Sequence, residues 1–295
     1  MSRALVLSGG GVKGAYQLGV LRKWLLEEKR EYDIFSGVSV GALNSAVLAQ
    51  VPHGDPEAAY NKLAAIWDDV DNSNIRKDWR FFGKVAALWK GHVYNTQPLM
   101  DWIKRDVDAP AIQASGKKLM VGVTSLDTGE YRVAREDTPD LWEWVYASSA
   151  FPLFLEEGRM EGQLWVDGGV RNVTPIGEVI RAGATEVDVI LAANPHDVPP
   201  WDNKGKAIWQ KAFRVLDIIM KEITLNDLQV VGLKNDLGRL GEDFKTIKVR
   251  LIYPKGELVE DPLDFDPVAI KEMRQKGYEE ACSAEKIDPD EPAPE

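Results

Sequence analysis

The residue in this chain best placed to act as a nucleophile is the serine of Gly37-Val38-Ser39-Val40-Gly41. This G-x-S-x-G run falls between Asp33-Ile34-Phe35, which reads as the start of a strand, and a helical pattern carrying Ala42, Leu43, Ala46, Val47 and Leu48. Between a strand and a helix, two glycines let the backbone turn sharply and lift the serine hydroxyl clear of the chain. The helix that follows aims the positive end of its dipole at the same place. A serine held in this way is suited to acyl transfer, whereas outside that context it is a simple helix cap.

A second run, Gly9-Gly10-Gly11-Val12-Lys13-Gly14, joins the apolar strand Ala4-Leu5-Val6-Leu7 to a helix marked by Leu18, Leu21, Trp24 and Leu25. Consecutive glycines before a helix leave backbone N–H groups free to converge on an anion, here the oxygen of a tetrahedral intermediate. The same run fits G-x-G-x-x-G at Gly9, Gly11 and Gly14, with Asp33 at about the distance of a ribose-binding acid. A nucleotide site would have that acid at the far end of the second strand, but Asp33 stands at its near end. Ala15-Tyr16 also replaces the Lys-Ser/Thr of a phosphate-binding loop. Third, Gln163-Leu164-Trp165-Val166 runs into Asp167-Gly168-Gly169, which presents a carboxylate at a strand tip or simply makes a turn. His196 completes a Ser39, Asp167, His196 order that a Ser-His-Asp triad would also show. Its neighbours Asn194-Pro195-His196-Asp197 read more simply as a polar loop, and His53 and His92 as solvated turn residues.

The elements that must position these groups alternate between strand and helix. Strands are expected near 119–123, 131–133, 163–166, 186–193 and 245–253. Helices are expected near 55–70, 96–107, 139–147, 175–182, 206–234 and 267–282. Such interleaving implies an α/β fold with a mostly parallel central sheet and helices on both faces. Trp79, Phe81, Phe82 and Trp89 alternate with Arg76, Lys77, Arg80, Lys84 and Lys90, which suggests a helical cap insertion able to meet a lipid interface. The 295 residues carry a formal charge of −11, which argues against nucleic acid as a partner. A single cysteine, Cys282, excludes an intrachain disulfide framework. The lack of an apolar run of membrane-spanning length, or of a leader, sets the expected compartment as cytoplasmic, with any membrane contact peripheral. One domain over 1–284 and an acidic, Pro-containing, disordered tail over 285–295 complete the expected organisation.

Taken in order, G-G-G-x-K-G, G-x-S-x-G and D-G-G resemble the patatin-like phospholipase family. Supporting segments are Gly19-Val20-Leu21, Gly41-Ala42-Leu43-Asn44 and Ala147-Ser148-Ser149-Ala150-Phe151-Pro152. The likeness runs from Leu5 to about Ala193. After D-G-G the chain reads Asn172-Val173-Thr174-Pro175 where many plant members have Asn-Asn-Pro, a spacing closer to the bacterial branch related to neuropathy target esterase. The resemblance implies a three-layer fold and a lipid acyl hydrolase acting on a lipid or acyl-ester substrate without metal or cofactor. It also implies Ser39 as nucleophile, Asp167 as its base, and Gly37 and Gly41 shaping the elbow. Gly9, Gly10, Gly11 and Lys13 then form the oxyanion loop. Two other readings stay open at this point: a non-catalytic lipid-binding or scaffold module on the same fold, and nucleotide binding at the glycine loop.

Overall fold

A computed structural model describes residues 2–75, 94–197, 200–202, 204, 208–239 and 247–284. The apolar runs read from the sequence become the centre of an eight-stranded sheet, ordered β5-β6-β3-β2-β1-β7-β8, with β4 paired to β3. The strands are β1 (Arg3–Leu7), β2 (Ile34–Gly37), β3 (Lys118–Ser125), β4 (Tyr131–Arg135), β5 (Gly158–Met160), β6 (Gln163–Asp167), β7 (Glu186–Ile190) and β8 (Lys248–Ile252). β1, β2, β3, β7 and β8 run parallel, while β4, β5 and β6 add antiparallel pairings. Ala4, Leu5, Val6 and Leu7 are fully buried, as a central strand covered on both faces requires.

One face is covered by α1 (Gly14–Leu21), α2 (Val40–Ala49), α3 (Pro56–Asp69), α7 (Leu141–Ser149) and α10 (Pro267–Ser283). The other is covered by α8 (Ile176–Arg181), with Leu228 of the long helix α9 (Ile208–Arg239) packing on the same cluster. Between α2 and β3 the chain inserts α3, α4 (Asn72–Ile75), α5 (Gln97–Asp106) and α6 (Ala109–Ser115). The expected cap insertion falls between α4 and α5. The aromatic and basic run 76–90 and the tail 285–295 lie outside the described residues.

Three elements have no counterpart in the expected pattern: the single turn α4, α6 and β5. α6 is capped by Asp108, whose side chain accepts from Ala111 N, with a proline in its first turn. β5 has only three residues, too few to show a period. Among the described residues no helix is long and apolar enough to cross a membrane.

Register places the chemistry. Leu7 of β1 pairs with Gly37 of β2, so the two parallel strands end level and the glycine loop and the serine turn leave the sheet side by side. β2 occupies one edge of β3 as far as Gly37, opposite Val121. β4 holds the other edge, which leaves the vacated edge to β6, and Asp167 pairs with Val123 there. The carboxylate residue therefore stands just beyond the end of the strand that launches Ser39.

Candidate active site

Ser39 caps α2 with φ 57° and ψ −131°, a conformation that costs a non-glycine residue about 1–3 kcal/mol. The turn is compressed from two sides. A Cβ on Gly37 would stand 2.2 Å from the Gly41 carbonyl oxygen, and one on Gly41 would stand 2.1 Å from that of Leu7. Only glycines permit this approach, so both positions assigned to the elbow have a steric reason for their identity. The Ser39 N–H donates to Ser148 Oγ at 2.9 Å.

Asp167 is 3% exposed. Its Oδ1 accepts the Gly169 N–H at 2.7 Å, and Ser39 lines the same cavity beside it. Burial pushes its pKa up to about 7, opposed by the Gly169 N–H and by the nearby Ser39 side chain. The structure thus brings the predicted serine and aspartate together.

The glycine loop lies against them. A Cβ on Gly9 would sit 3.3 Å from Ser39 Cβ. The Gly9 N–H, however, donates to the Val173 carbonyl at 3.2 Å, so it is not available to an incoming anion. Among the described residues no acceptor meets the N–H of Gly10 or Gly11. Gly11 has φ 57°, and its backbone packs so closely on Pro262 that a Cβ would stand 2.2 Å from that carbonyl oxygen. The same oxygen accepts the Val12 N–H at 2.9 Å. The loop is anchored further back by Gln17, whose Nε2 donates to the Ser8 carbonyl at 2.8 Å. Gln17 Oε1 in turn accepts from Asn44 Nδ2, and Asn44 Oδ1 accepts from the Trp67 indole. Lys13 is half-buried, and burial lowers its pKa against the opposing pull of Asp217 and Glu257.

Ser39, Asp167 and the loop open into one cavity of about 490 Å³. Leu43, Trp67, Leu99, Trp102, Phe151 and Phe265 give it an apolar wall, drawn largely from α2, α3 and α5. Lys13, Arg214, Asp217, Lys221 and Glu257 give it a charged one. The sequence pointed to neither Arg214 nor Lys221, because helical periodicity alone cannot say which charged face of α9 meets a cavity.

His196 is exposed, with its ring tilted against Tyr253 at 5.9 Å between centroids, and it does not line the cavity. His53 is also exposed and stands beside Glu31 and Asp33, while His92 lies outside the described residues. Asp33 accepts the Arg3 N–H at the start of β1, the end of the sheet opposite the glycine loop. A ribose held by both is therefore excluded. Among the described residues no three His, Cys, Asp or Glu side chains cluster as a metal site.

A cavity lined by a serine elbow, a buried aspartate and a glycine-rich loop at the ends of parallel strands defines a class. The family model "Patatin-like phospholipase" matches residues 5–180, and the chain belongs to that family. It is 30% identical over 182 residues to the patatin-like phospholipase domain-containing protein ZK370.4 of Caenorhabditis elegans, covering 61% of this chain and 13% of that protein. The uncharacterized protein YjjU of Escherichia coli (strain K12) is 27% identical over 215 residues, 67% of this chain and 54% of its own length. Lysophospholipase NTE1 of Mycosarcoma maydis is 23% identical over 210 residues, 68% of this chain and 10% of its own. The chain thus spans about half the length of the bacterial relative and about a tenth of the other two.

Proposed function

We propose that the protein is a serine lipid acyl hydrolase that cleaves fatty acyl esters through a Ser39-Asp167 dyad and an acyl-enzyme intermediate. The observation that carries this reading is a buried carboxylate, pushed up to about 7, lining one cavity with a serine held in a strained turn. A serine hydroxyl is too weak an acid to attack an ester unaided, and a base titrating near the working pH takes its proton most effectively. Ionised Asp167 accepts the Ser39 proton as Oγ bonds to the acyl carbon.

The carbonyl oxygen becomes an oxyanion, which we assign to the Gly10 and Gly11 N–H groups, neither of which meets an acceptor among the described residues. Gly9 serves by letting the loop close on Ser39. The cation of Lys13 adds positive potential at the cavity wall. On collapse the bond to the leaving alcohol breaks, and protonated Asp167 returns its proton to that oxygen. Water then attacks the acyl-Ser39 ester with Asp167 again as base, releasing the fatty acid and restoring Ser39. None of these steps calls on a metal or cofactor.

The apolar wall accommodates an acyl chain and the charged wall a polar headgroup. Val215, Ile218 and Ile219 are exposed on α9 beside the cavity residues Arg214, Asp217 and Lys221. Peripheral contact with a lipid surface at that point would deliver a substrate to the opening.

The test is turnover of a long-chain chromogenic ester. Ser39→Ala and Asp167→Asn each remove at least about a thousandfold of kcat with the fold intact, and His196→Ala stays within about twofold of wild type. Undiminished turnover by either dyad variant, or loss of turnover in a folded His196→Ala protein, would overturn the reading.

A further inference from the structure

We infer that Ser148 is a positioning residue for the reaction: its buried hydroxyl holds the peptide of the nucleophile in its strained turn. The inference rests on the reading of Ser39 as nucleophile. Ser148 lies in the last turn of α7 and is fully buried. Its Oγ donates to the Gly122 carbonyl at 2.7 Å and accepts the Ser39 N–H at 2.9 Å. A hydroxyl has one proton and two lone pairs. With its proton committed to Gly122, it presents Ser39 with an acceptor only, which fixes the direction of the whole relay.

The anchor is well chosen. Gly122 lies on β3 between Val121, the partner of Gly37, and Val123, the partner of Asp167. The approach of the Asp167-Gly168 turn to Gly122 is equally close, since a Cβ on Gly168 would stand 2.4 Å from the Gly122 oxygen. Just past Ser148, the Ala150 carbonyl accepts the Asp167 N–H at 3.0 Å. One short segment thus ties the serine turn, the central strand and the aspartate together. Without the Ser148 hydroxyl, the Ser39 N–H loses its acceptor and the Gly122 carbonyl loses a donor. The φ of 57° at Ser39 then has less to hold it, and Oγ moves relative to the Asp167 carboxylate. A displacement of about an ångström in a reacting group costs on the order of a hundredfold in rate. The same bond commits the Ser39 N–H and withholds it from the oxyanion.

The control is Ser45, a second fully buried serine, on α2, whose hydroxyl meets no hydrogen-bond partner among the described residues. Ser148→Ala, Ser45→Ala and wild type would be compared in kcat and KM on a long-chain ester, in the rate of labelling by a long-chain fluorophosphonate, and in thermal unfolding. Ser45→Ala is expected within about twofold of wild type in both kinetic constants. Ser148→Ala is expected to lose about a hundredfold in kcat and in labelling rate, with KM within about twofold and a cooperative unfolding transition. A folded Ser148→Ala protein with kcat and labelling rate near wild type would overturn the inference, as would a loss confined to KM. A wild type that neither labels nor turns over would overturn the reading of Ser39, and this inference with it.

Discussion

Asp167 stands on the edge of β3 that Gly37 vacates: Gly37 pairs with Val121, and Asp167 pairs with Val123 from a strand running the other way. Ser39, two residues past Gly37, therefore turns out of the sheet toward the place where β6 ends. Sheet register, rather than a flexible loop, sets where the two functional groups meet. The reach of the carboxylate is fixed accordingly, and Asp167→Glu, one methylene longer in a site with 3% exposure, is expected to retain less than about a hundredth of wild-type kcat. Turnover of a long-chain ester at saturating substrate checks this, and activity near wild type would show that register does not set the geometry.

The proposed role of Asp167 as base carries a pH dependence set by its environment. Burial holds Asp167 up to about 7, and only its ionised form can take the Ser39 proton. Turnover is therefore expected to rise about tenfold per pH unit well below 7 and to level off above it. A profile flat from pH 5 to 8 would exclude Asp167 as the titrating base.

The same residue weakens the fold. Its folded pKa of about 7 lies above the ordinary 3.8, so between those values the folded chain binds more protons than the unfolded chain. This contribution to stability is full below pH 4, declines as pH rises through the window, and is gone above 7. Asparagine stays neutral throughout, and its side-chain oxygen can still accept the Gly169 N–H. Asp167→Asn is thus expected to unfold at a higher temperature than wild type at pH 8, by roughly 2–4 kcal/mol in stability, with the gap narrowing through pH 5 and closing toward pH 4. An inactive variant that is also less stable at pH 8 would contradict this account of the burial.

At the glycine loop, Gly11→Ala places a methyl group against the Pro262 carbonyl at a φ of 57°. The loop must move to relieve that contact, carrying its free N–H groups away from the oxyanion. Losing one such donor typically removes about a hundred- to a thousandfold in rate. Gly11→Ala is expected to show a loss of that size in kcat, measured beside Gly54→Ala, a change at an open surface turn that should leave kcat unaltered.

Much of this site was legible in the sequence because its parts are local. A strand, a glycine turn and a helix can be read from a dozen residues, and Ser39 and the glycine loop each sit inside such a unit. Asp167 was legible only beside the other two, since Asp-Gly is a common turn and nothing local states which strand lies next to β6. Contacts between distant segments left no such signal. Nothing in the sequence indicated that Val173 would occupy the Gly9 N–H, that Pro262 would brace Gly11, or that Ser148 would accept from Ser39. His196 shows the converse limit: its place in the chain order fits a triad, and the fold leaves it exposed against Tyr253.

The central claim is that Ser39 is chemically activated. Intact-mass spectrometry after incubation with a long-chain fluorophosphonate, on wild type and Ser39→Ala side by side, tests it most directly. The account predicts one adduct on the wild type and none on the variant. A folded wild type that stays unlabelled with and without lipid vesicles, or a Ser39→Ala protein that labels equally, would contradict it.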